Sequence, residues 1–171
     1  MDTTSLQVTV EALASLLLAR GQLLATAESC TGGLIAASCT ELAGSSAWFE
    51  RGFVTYSNEA KTELLGVPAE LIAEHGAVSE AVARAMATGA LMRSRADIAV
   101  AVTGIAGPTG GSDAKPVGTV WLAWAERGRD GTRESVAVHA EKVWFPGDRR
   151  AVRGATVAHA LAGVRNRLVP L

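Results

Sequence analysis

A short apolar run in the middle of the chain most narrows the folds that this sequence can adopt. Within residues 98–102, Ile98, Val100 and Val102 alternate with alanines, so both faces of a strand here are apolar. Such strands lie at the centre of a sheet that helices cover on both faces. The run therefore predicts a layered α/β fold.

Helix and strand patterns on either side of this run agree with that prediction. Apolar spacing and capping residues predict helices over residues 6–20, 34–42, 59 onward, 68–75, 79–95 and 149–168. Strands are predicted over residues 23–27, 53–56, 97–102, 117–124 and 136–138, with a turn at Asp130-Gly131 before the last of them. Because strands and helices alternate through the first hundred residues and a hairpin follows, we expect a three-layer α/β/α sandwich over a mixed, mostly parallel sheet of about five strands.

Size and charge exclude several classes of protein. A chain of 171 residues is near the usual length of one domain, so we expect a single domain over residues 1–171. Hydrophobic residues make up 49% and charged residues 19%, unlike a disordered chain. The 16 basic and 17 acidic side chains give a net charge of −1, which argues against a nucleic-acid partner.

The sequence also predicts where the protein resides. The apolar run at residues 13–19 is far shorter than the roughly 20 residues of a membrane span, and no basic segment precedes it. We therefore expect a cytoplasmic protein with no membrane partner. Cys30 and Cys39, if they share a helix, lie about 13 Å apart along its axis, which predicts reduced thiols rather than a disulfide.

Three segments rich in glycine and polar residues each follow a predicted strand. They are residues 29–33, 56–61 and 104–112. Since binding sites on α/β sheets gather at the carboxyl ends of the strands, we expect these segments to converge on one site.

Ser29 is the candidate nucleophile of that site. It lies where a strand turns sharply into a helix, a geometry that exposes a hydroxyl and turns the N–H groups of Cys30, Thr31 and Gly32 toward one point, where they could bind an oxyanion. Two alternatives stay open: Ser29 or Thr31 merely caps the helix, or Cys30 is the nucleophile because the helix terminus lowers its pKa.

Lys61 is the candidate general base. Arginine supplies thirteen of the sixteen basic residues, so lysine is used sparingly, and only lysine can lose its proton when it is buried. Lys115 draws notice for the same reason, although either lysine can be an ordinary surface charge. Tyr56, at a strand end, could relay a proton or be a plain strand aromatic. None of the three histidines is well placed for a base: His75, His139 and His159.

Two further segments point to a ligand without defining it. The glycine loop matches no nucleotide-binding fingerprint and shows only that main chain approaches something closely. Asp148, Arg149 and Arg150 begin the last helix and combine N–H donors with guanidinium groups, which is typical of a phosphate or carboxylate site or of a solvated first turn. The sequence has no His, Cys and carboxylate cluster with metal-ligand spacing.

Five segments together resemble the CinA C-terminal domain family. They are residues 27–33, 52–61, 75–79, 103–108 and 115–120, in the order and spacing of that family. The likeness extends over about residues 7–167. The family includes stand-alone nicotinamide mononucleotide amidohydrolases and the carboxyl-terminal halves of competence-damage-inducible proteins.

The resemblance implies an enzyme that hydrolyses the amide of nicotinamide mononucleotide, a small-molecule substrate, to nicotinic acid mononucleotide and ammonia for NAD synthesis. It implies no metal or organic cofactor. The family's serine nucleophile falls on Ser29 and its lysine base on Lys61, with Tyr56 beside them. A non-catalytic domain that binds pyridine nucleotides or a partner protein is the alternative.

Two further expectations follow from the resemblance. The substrate's phosphate needs a binding site, for which we expect the loop N–H groups of Gly104, Ile105, Ala106 and Gly107, the hydroxyl of Thr103 and the guanidinium of Arg149. The family also implies a homo-oligomer. The tryptophans are either part of a subunit interface or ordinary core residues.

Overall fold

A five-stranded mixed sheet forms the centre of the molecule in the computed structural model, which describes residues 3–128 and 135–169. The strands are β1 (Leu24–Glu28), β2 (Phe49–Val54), β3 (Ile98–Gly104), β4 (Thr119–Arg127) and β5 (Val136–Trp144). Their order across the sheet is β2-β1-β3-β4-β5. β1 pairs in parallel with β2 and β3, whereas β4 runs antiparallel to both β3 and β5.

Within the described residues, six α-helices cover the two faces of this sheet. They are α1 (Thr3–Arg20), α2 (Leu34–Thr40), α3 (Asn58–Leu65), α4 (Ala69–His75), α5 (Glu80–Met92) and α6 (Arg149–Leu168). α1, α2 and α6 pack on one face, and α3, α4 and α5 contribute to the core on the other. The predicted three-layer α/β/α sandwich is confirmed.

The two faces of the sheet carry side chains of different size. The face under α1 and α6 is built from large apolar residues of the central strands: Leu24, Ile98, Val100, Val102, Val120, Leu122 and Trp124. The opposite face, under α5, presents alanines from the same strands: Ala25, Ala27, Ala99, Ala101, Ala123 and Ala125. Because the side chains of a strand alternate between faces, the apolar run of β3 supplies both surfaces. α5 therefore lies close to the main chain of the sheet.

The second strand was predicted in the wrong place. The sequence favours residues 53–56, but β2 begins at Phe49 and ends at Val54. β2 is an edge strand whose register with β1 shifts at Glu50, so Glu50 and Arg51 can lie in it and form an ion pair, in which the Glu50 side chain is only 5% exposed. Thr55 and Tyr56 leave the sheet, and their carbonyl oxygens accept hydrogen bonds from Lys61.

Other element boundaries differ from the prediction as well. β5 extends to Trp144, well beyond the predicted residues 136–138, because it pairs with β4 along its whole length. The predicted turn at Asp130-Gly131 lies outside the described residues. α6 has the predicted bounds, and α5 ends at Met92 rather than near residue 95.

The tryptophans divide between core and surface. Trp48 and Trp124 are buried, and the indole N–H of Trp124 donates to the carbonyl of Ala160, which ties β4 to α6. Trp144 is 59% exposed at the end of β5. Across the described residues, no helix combines the length and the apolar character that crossing a membrane requires.

The parallel strands bring the site segments together. β1, β2 and β3 end at the same edge of the sheet, and their last paired residues are followed by Ser29, by the turn at residues 55–57 and by the glycine loop. This is the convergence that the sequence predicts for one site.

Candidate active site

A cavity of about 200 Å³ opens at this edge of the sheet. The predicted site residues that line it are Ser29, Cys30, Tyr56, Lys61, Thr103, Gly104, Ala106 and Arg149. Sequence reasoning missed three further lining residues, namely Asn58, Ala77 and Val78. Asn58 lies on the segment that carries Lys61, and this place in the sequence is a signal that could have found it.

Ser29 and Lys61 are in direct contact in the cavity. The Nζ atom of Lys61 lies 3.2 Å from the Oγ atom of Ser29, within hydrogen-bond distance. Ser29 is held at the end of β1 because its N–H donates to the carbonyl of Val102 on β3. Lys61 lies one turn into α3, whose start is capped by Ser57, the hydroxyl of which accepts from the N–H of Ala60. The end of β1 and the capped start of α3 thus fix the positions of Ser29 and Lys61.

The Lys61 side chain is almost completely buried, with 1% of its surface exposed. Its amine lies 3.0–3.4 Å from the carbonyl oxygens of Thr55, Tyr56 and Ser57. Burial lowers the pKa of Lys61 from the usual 10.5, and the nearby Cys30 and Glu59 only partly oppose this shift. A neutral amine has two N–H donors for the carbonyls and one lone pair for the hydroxyl of Ser29.

The turn that follows Ser29 presents main-chain donors. The N–H of Gly32 donates to the carbonyl of Ser29, so it is already used within the turn. In the part of the chain that the structure describes, no group accepts a hydrogen bond from the N–H of Cys30 or of Thr31. Of these three predicted oxyanion donors, the N–H of Cys30 is the one that is both unbonded and on a residue that lines the cavity, because Thr31 is fully buried and lies outside the lining.

Glu28 is a residue that sequence reasoning missed entirely. Its carboxyl group is fully buried at the end of β1, on the face that α2 covers. It accepts five hydrogen bonds, from the N–H groups of Gly33, Ile35 and Ala36 and from the hydroxyls of Thr26 and Thr31. These bonds cap α2 in place of a side chain at its first turn. An acidic residue just before a strand-to-helix turn is the signal that could have found it.

The environment of Cys30 differs from the expectation. One alternative predicted that the helix terminus lowers its pKa, but the pKa of the Cys30 thiol is raised to about 11, because burial and, less strongly, the Glu28 carboxylate outweigh the opposing effects of the main-chain N–H, Arg153 and Lys61. The Glu28 carboxylate binds the N–H groups at the start of α2, so a negative charge lies close to the thiol. Cys30 is consequently a protonated thiol at neutral pH.

Tyr56 contributes to the site through two different atoms. Its carbonyl oxygen accepts from Lys61 at 3.3 Å, whereas its ring is 61% exposed. Its hydroxyl accepts from the guanidinium of Arg149 at 3.1 Å. Among the described residues, this hydroxyl bonds to neither Ser29 nor Lys61.

Arg149 spans the mouth of the cavity. Besides Tyr56, its guanidinium donates to the carbonyl of Gly107 at 2.8 Å. Arg149 thus links α6 to the glycine loop and to the segment that precedes α3. It lies at the first position of α6, directly after Asp148, whose carboxylate accepts from the N–H of Ala151.

The predicted donors of the glycine loop are not equivalent. The N–H of Ile105 donates to the carbonyl of Thr119, so it is used within the fold, whereas no group in residues 3–128 or 135–169 accepts from the N–H of Ala106 or Gly107. The hydroxyl of Thr103 donates to the carbonyl of Ala77 at 2.8 Å and holds the turn before α5 against β3.

The remaining candidate groups lie elsewhere. Lys115 donates to the carbonyl of Val78 at 2.8 Å and fastens the glycine loop to the same turn. His159 of α6 contacts Glu141 of β5, and none of the three histidines lines the cavity. No group of three His, Cys, Asp or Glu side chains within the described residues could hold a metal ion.

The fold and this site define a family. The model of the CinA C-terminal domain family matches residues 6–168 of the chain. The chain belongs to this family.

Named relatives and solved structures agree with this assignment. The chain is 54% identical over 162 residues to "Nicotinamide-nucleotide amidohydrolase PncC" of Escherichia coli K12, and the match spans 94% of this chain and 93% of that protein. It is also 54% identical to a "CinA-like protein" of Geobacter sulfurreducens, of which it spans only 36%. A crystal structure of a CinA superfamily protein from Klebsiella pneumoniae superposes with a TM-score of 0.87 at 43% identity, over 95% of this chain and 97% of that one.

The state of Cys30 leads to a first prediction. We expect Cys30→Ala to release ammonia from nicotinamide mononucleotide at a rate within about three-fold of the wild-type rate, because a protonated thiol is a poor nucleophile and the N–H group at this position is retained. Alkylation of the native thiol by iodoacetamide should accelerate only as the pH approaches 11. Cys39→Ala, which removes the other buried thiol far from the cavity, is the control. Loss of activity in Cys30→Ala alone would contradict the assignment of the nucleophile to Ser29.

Proposed function

We propose that this protein hydrolyses the carboxamide of nicotinamide mononucleotide, with Ser29 as the nucleophile and Lys61 as the general base. The products are nicotinic acid mononucleotide and ammonia, and the reaction returns the pyridine ring to NAD synthesis. The observation that carries this proposal is the 3.2 Å contact between the Lys61 amine and the Ser29 hydroxyl. Membership of the family and the name of the Escherichia coli relative support the choice of substrate.

The first half of the reaction forms an acyl-enzyme. Neutral Lys61 takes the proton of Ser29 while the Oγ atom attacks the carboxamide carbon, and the N–H of Cys30 stabilises the negative charge on the carboxamide oxygen. The carbon–nitrogen bond then breaks. The lysine ammonium returns the proton to the departing amino group, which leaves as ammonia.

The second half releases the acid. Lys61, neutral again, takes a proton from a water molecule, which attacks the acyl carbon, and the Ser29 oxygen leaves with the proton held by Lys61. The contact between Lys61 and Ser29 supports direct proton transfer. The hydroxyl of Tyr56 is engaged with Arg149, so we assign Tyr56 to positioning through its carbonyl, which accepts from Lys61.

The phosphate belongs at the mouth of the cavity. Arg149 lines the cavity and carries more N–H donors than its bonds to Gly107 and Tyr56 use, and the open N–H groups of Ala106 and Gly107 lie on the same loop. An anion bound there would be held several ångströms from Ser29, so that its binding energy helps to position the amide. Thr103 contributes by holding the cavity wall. The homo-oligomer and the cytoplasmic location stay predictions.

Two substitutions test the proposed pair directly. Ser29→Ala should lower kcat for ammonia release by at least about 10³-fold, because the nucleophile is lost. Lys61→Arg should lower it by about 10²–10⁴-fold, since a guanidinium group cannot accept the proton. A coupled ammonia assay measures both. Lys142→Arg, the same exchange on the exposed surface of β5, should leave the rate unchanged, and an active Ser29→Ala variant would exclude covalent catalysis by Ser29.

The lowered pKa of Lys61 leads to a prediction about pH. Because only the neutral amine acts as a base, kcat/KM should rise with pH and level off below 10.5, the usual pKa of lysine. The same shift means that the unfolded chain binds the Lys61 proton more tightly, so this group's contribution to the stability of the folded state improves as the pH rises between the lowered pKa and 10.5. A rate that still rises through pH 10.5 would show that Lys61 has an ordinary pKa.

The phosphate site gives a further prediction. Arg149→Ala should lower kcat/KM for nicotinamide mononucleotide by about 10-fold or more, while slow hydrolysis of the phosphate-free riboside stays nearly unchanged. Tyr56→Phe is the matched control, because it removes only the hydroxyl that accepts from Arg149. Equal losses on both substrates would show that Arg149 is structural and that the phosphate binds elsewhere.

A further inference from the structure

Arg153 donates hydrogen bonds to the turn that carries Ser29. It lies four residues after Arg149 on α6, and therefore on the same side of that helix. Its Nε atom donates to the carbonyl of Cys30 at 3.1 Å and its Nη2 atom to the carbonyl of Thr31 at 2.9 Å. One planar guanidinium group thus binds two successive carbonyl groups, those of the two residues that follow Ser29 in the chain.

These two hydrogen bonds set the directions of the main-chain N–H groups in the turn. In a trans peptide unit the C=O and N–H groups point in opposite directions, so the bond to the carbonyl of Cys30 turns the N–H of Thr31 away from Arg153. The bond to the carbonyl of Thr31 likewise orients the N–H of Gly32, which donates to the carbonyl of Ser29. That last bond sets the direction of the N–H of Cys30.

The positive charge of Arg153 also makes these main-chain N–H groups stronger donors. A carbonyl group that accepts from a guanidinium ion is polarised, which makes the N–H of the same peptide unit a stronger donor. From the other side of the turn, the Glu28 carboxylate accepts from the hydroxyl of Thr31 at 2.6 Å and from the N–H groups at the start of α2. Glu28 therefore occupies the donors at the start of the helix, and the N–H of Cys30, which lines the cavity, is left for a ligand.

We infer that Arg153 is a positioning residue for the reaction: through the Thr31 carbonyl and the bond from the Gly32 N–H to the Ser29 carbonyl, it orients and polarises the N–H of Cys30 that stabilises the oxyanion, without touching the substrate. This inference rests on the proposed function. It differs from the role assigned to Arg149, because Arg153 binds main-chain carbonyls of the nucleophile turn rather than spanning the mouth of the cavity.

The test compares kcat and KM for nicotinamide mononucleotide in Arg153→Ala, Arg153→Lys and the control Arg150→Ala. Arg150 is an exposed residue on the same turn of α6, so its loss removes an equal charge without freeing the nucleophile turn. We expect Arg153→Ala to lower kcat by about 10²-fold with KM within about three-fold of wild type, because the donors act on the transition state. Arg153→Lys should lose at least about 10-fold in kcat, since a lysine cannot hold two carbonyls in a fork.

A rescue experiment separates positioning from simple stability. Millimolar guanidinium chloride should restore part of the kcat of Arg153→Ala, whereas the same concentration of sodium chloride should not, and neither salt should restore Ser29→Ala. The unfolding midpoint of every variant is measured to establish whether it is folded at the assay temperature. If Arg153→Ala does not fold, the kcat of Arg153→Lys tests the inference in its place.

Three results would overturn the inference. They are a wild-type kcat in Arg153→Lys, a loss in Arg153→Ala that lies only in KM, and an equal loss in Arg150→Ala. Each leaves the proposed function intact provided that Ser29→Ala is inactive. An active Ser29→Ala variant would instead remove the proposed function, so the two failures are distinguishable.

Discussion

The buried carboxylate of Glu28 is the interaction on which the arrangement of the site depends. Taking a charge out of water costs several kcal/mol unless hydrogen bonds replace the lost hydration. Here five donors surround the two oxygens, and three of them are main-chain N–H groups at the start of α2. The last residue of a strand thereby fixes the beginning of the next helix. The turn between them, which carries Ser29, has little freedom to move.

Opposite charges hold this turn from two sides. Glu28 binds it from within the core, and Arg153 of α6 binds its carbonyl groups from the outside. Lys61 faces the same turn across the cavity, where carbonyl oxygens of the chain segment before α3 receive its N–H bonds. Those carbonyls also explain how an amine can be buried, because they satisfy its donors in either protonation state.

The pattern of the sequence predicts much of the fold and the centre of the site, but not its support. The apolar run of β3 indicates a central strand, and the polar segments after β1, β2 and β3 indicate where a site forms, because both depend on local patterns. β2 was misplaced since an edge strand tolerates Glu50 and Arg51, which resemble a loop. Arg153 was missed as a support of the turn because its partners are main-chain carbonyls, which leave no mark on the sequence, whereas the position of Glu28 just before a strand-to-helix turn was a signal that the prediction did not use.

The alanine face of the sheet has a consequence for how the cavity acquires its size. Ala77 and Val78, which form one wall, precede α5, and α5 rests on the small side chains of β1, β3 and β4. The thickness of this layer of small side chains therefore sets the distance from that wall to Ser29. A single methyl group added to one of these alanines would displace the wall. The width of the cavity in this chain is thus set by alanines that lie under α5 and not in the cavity lining.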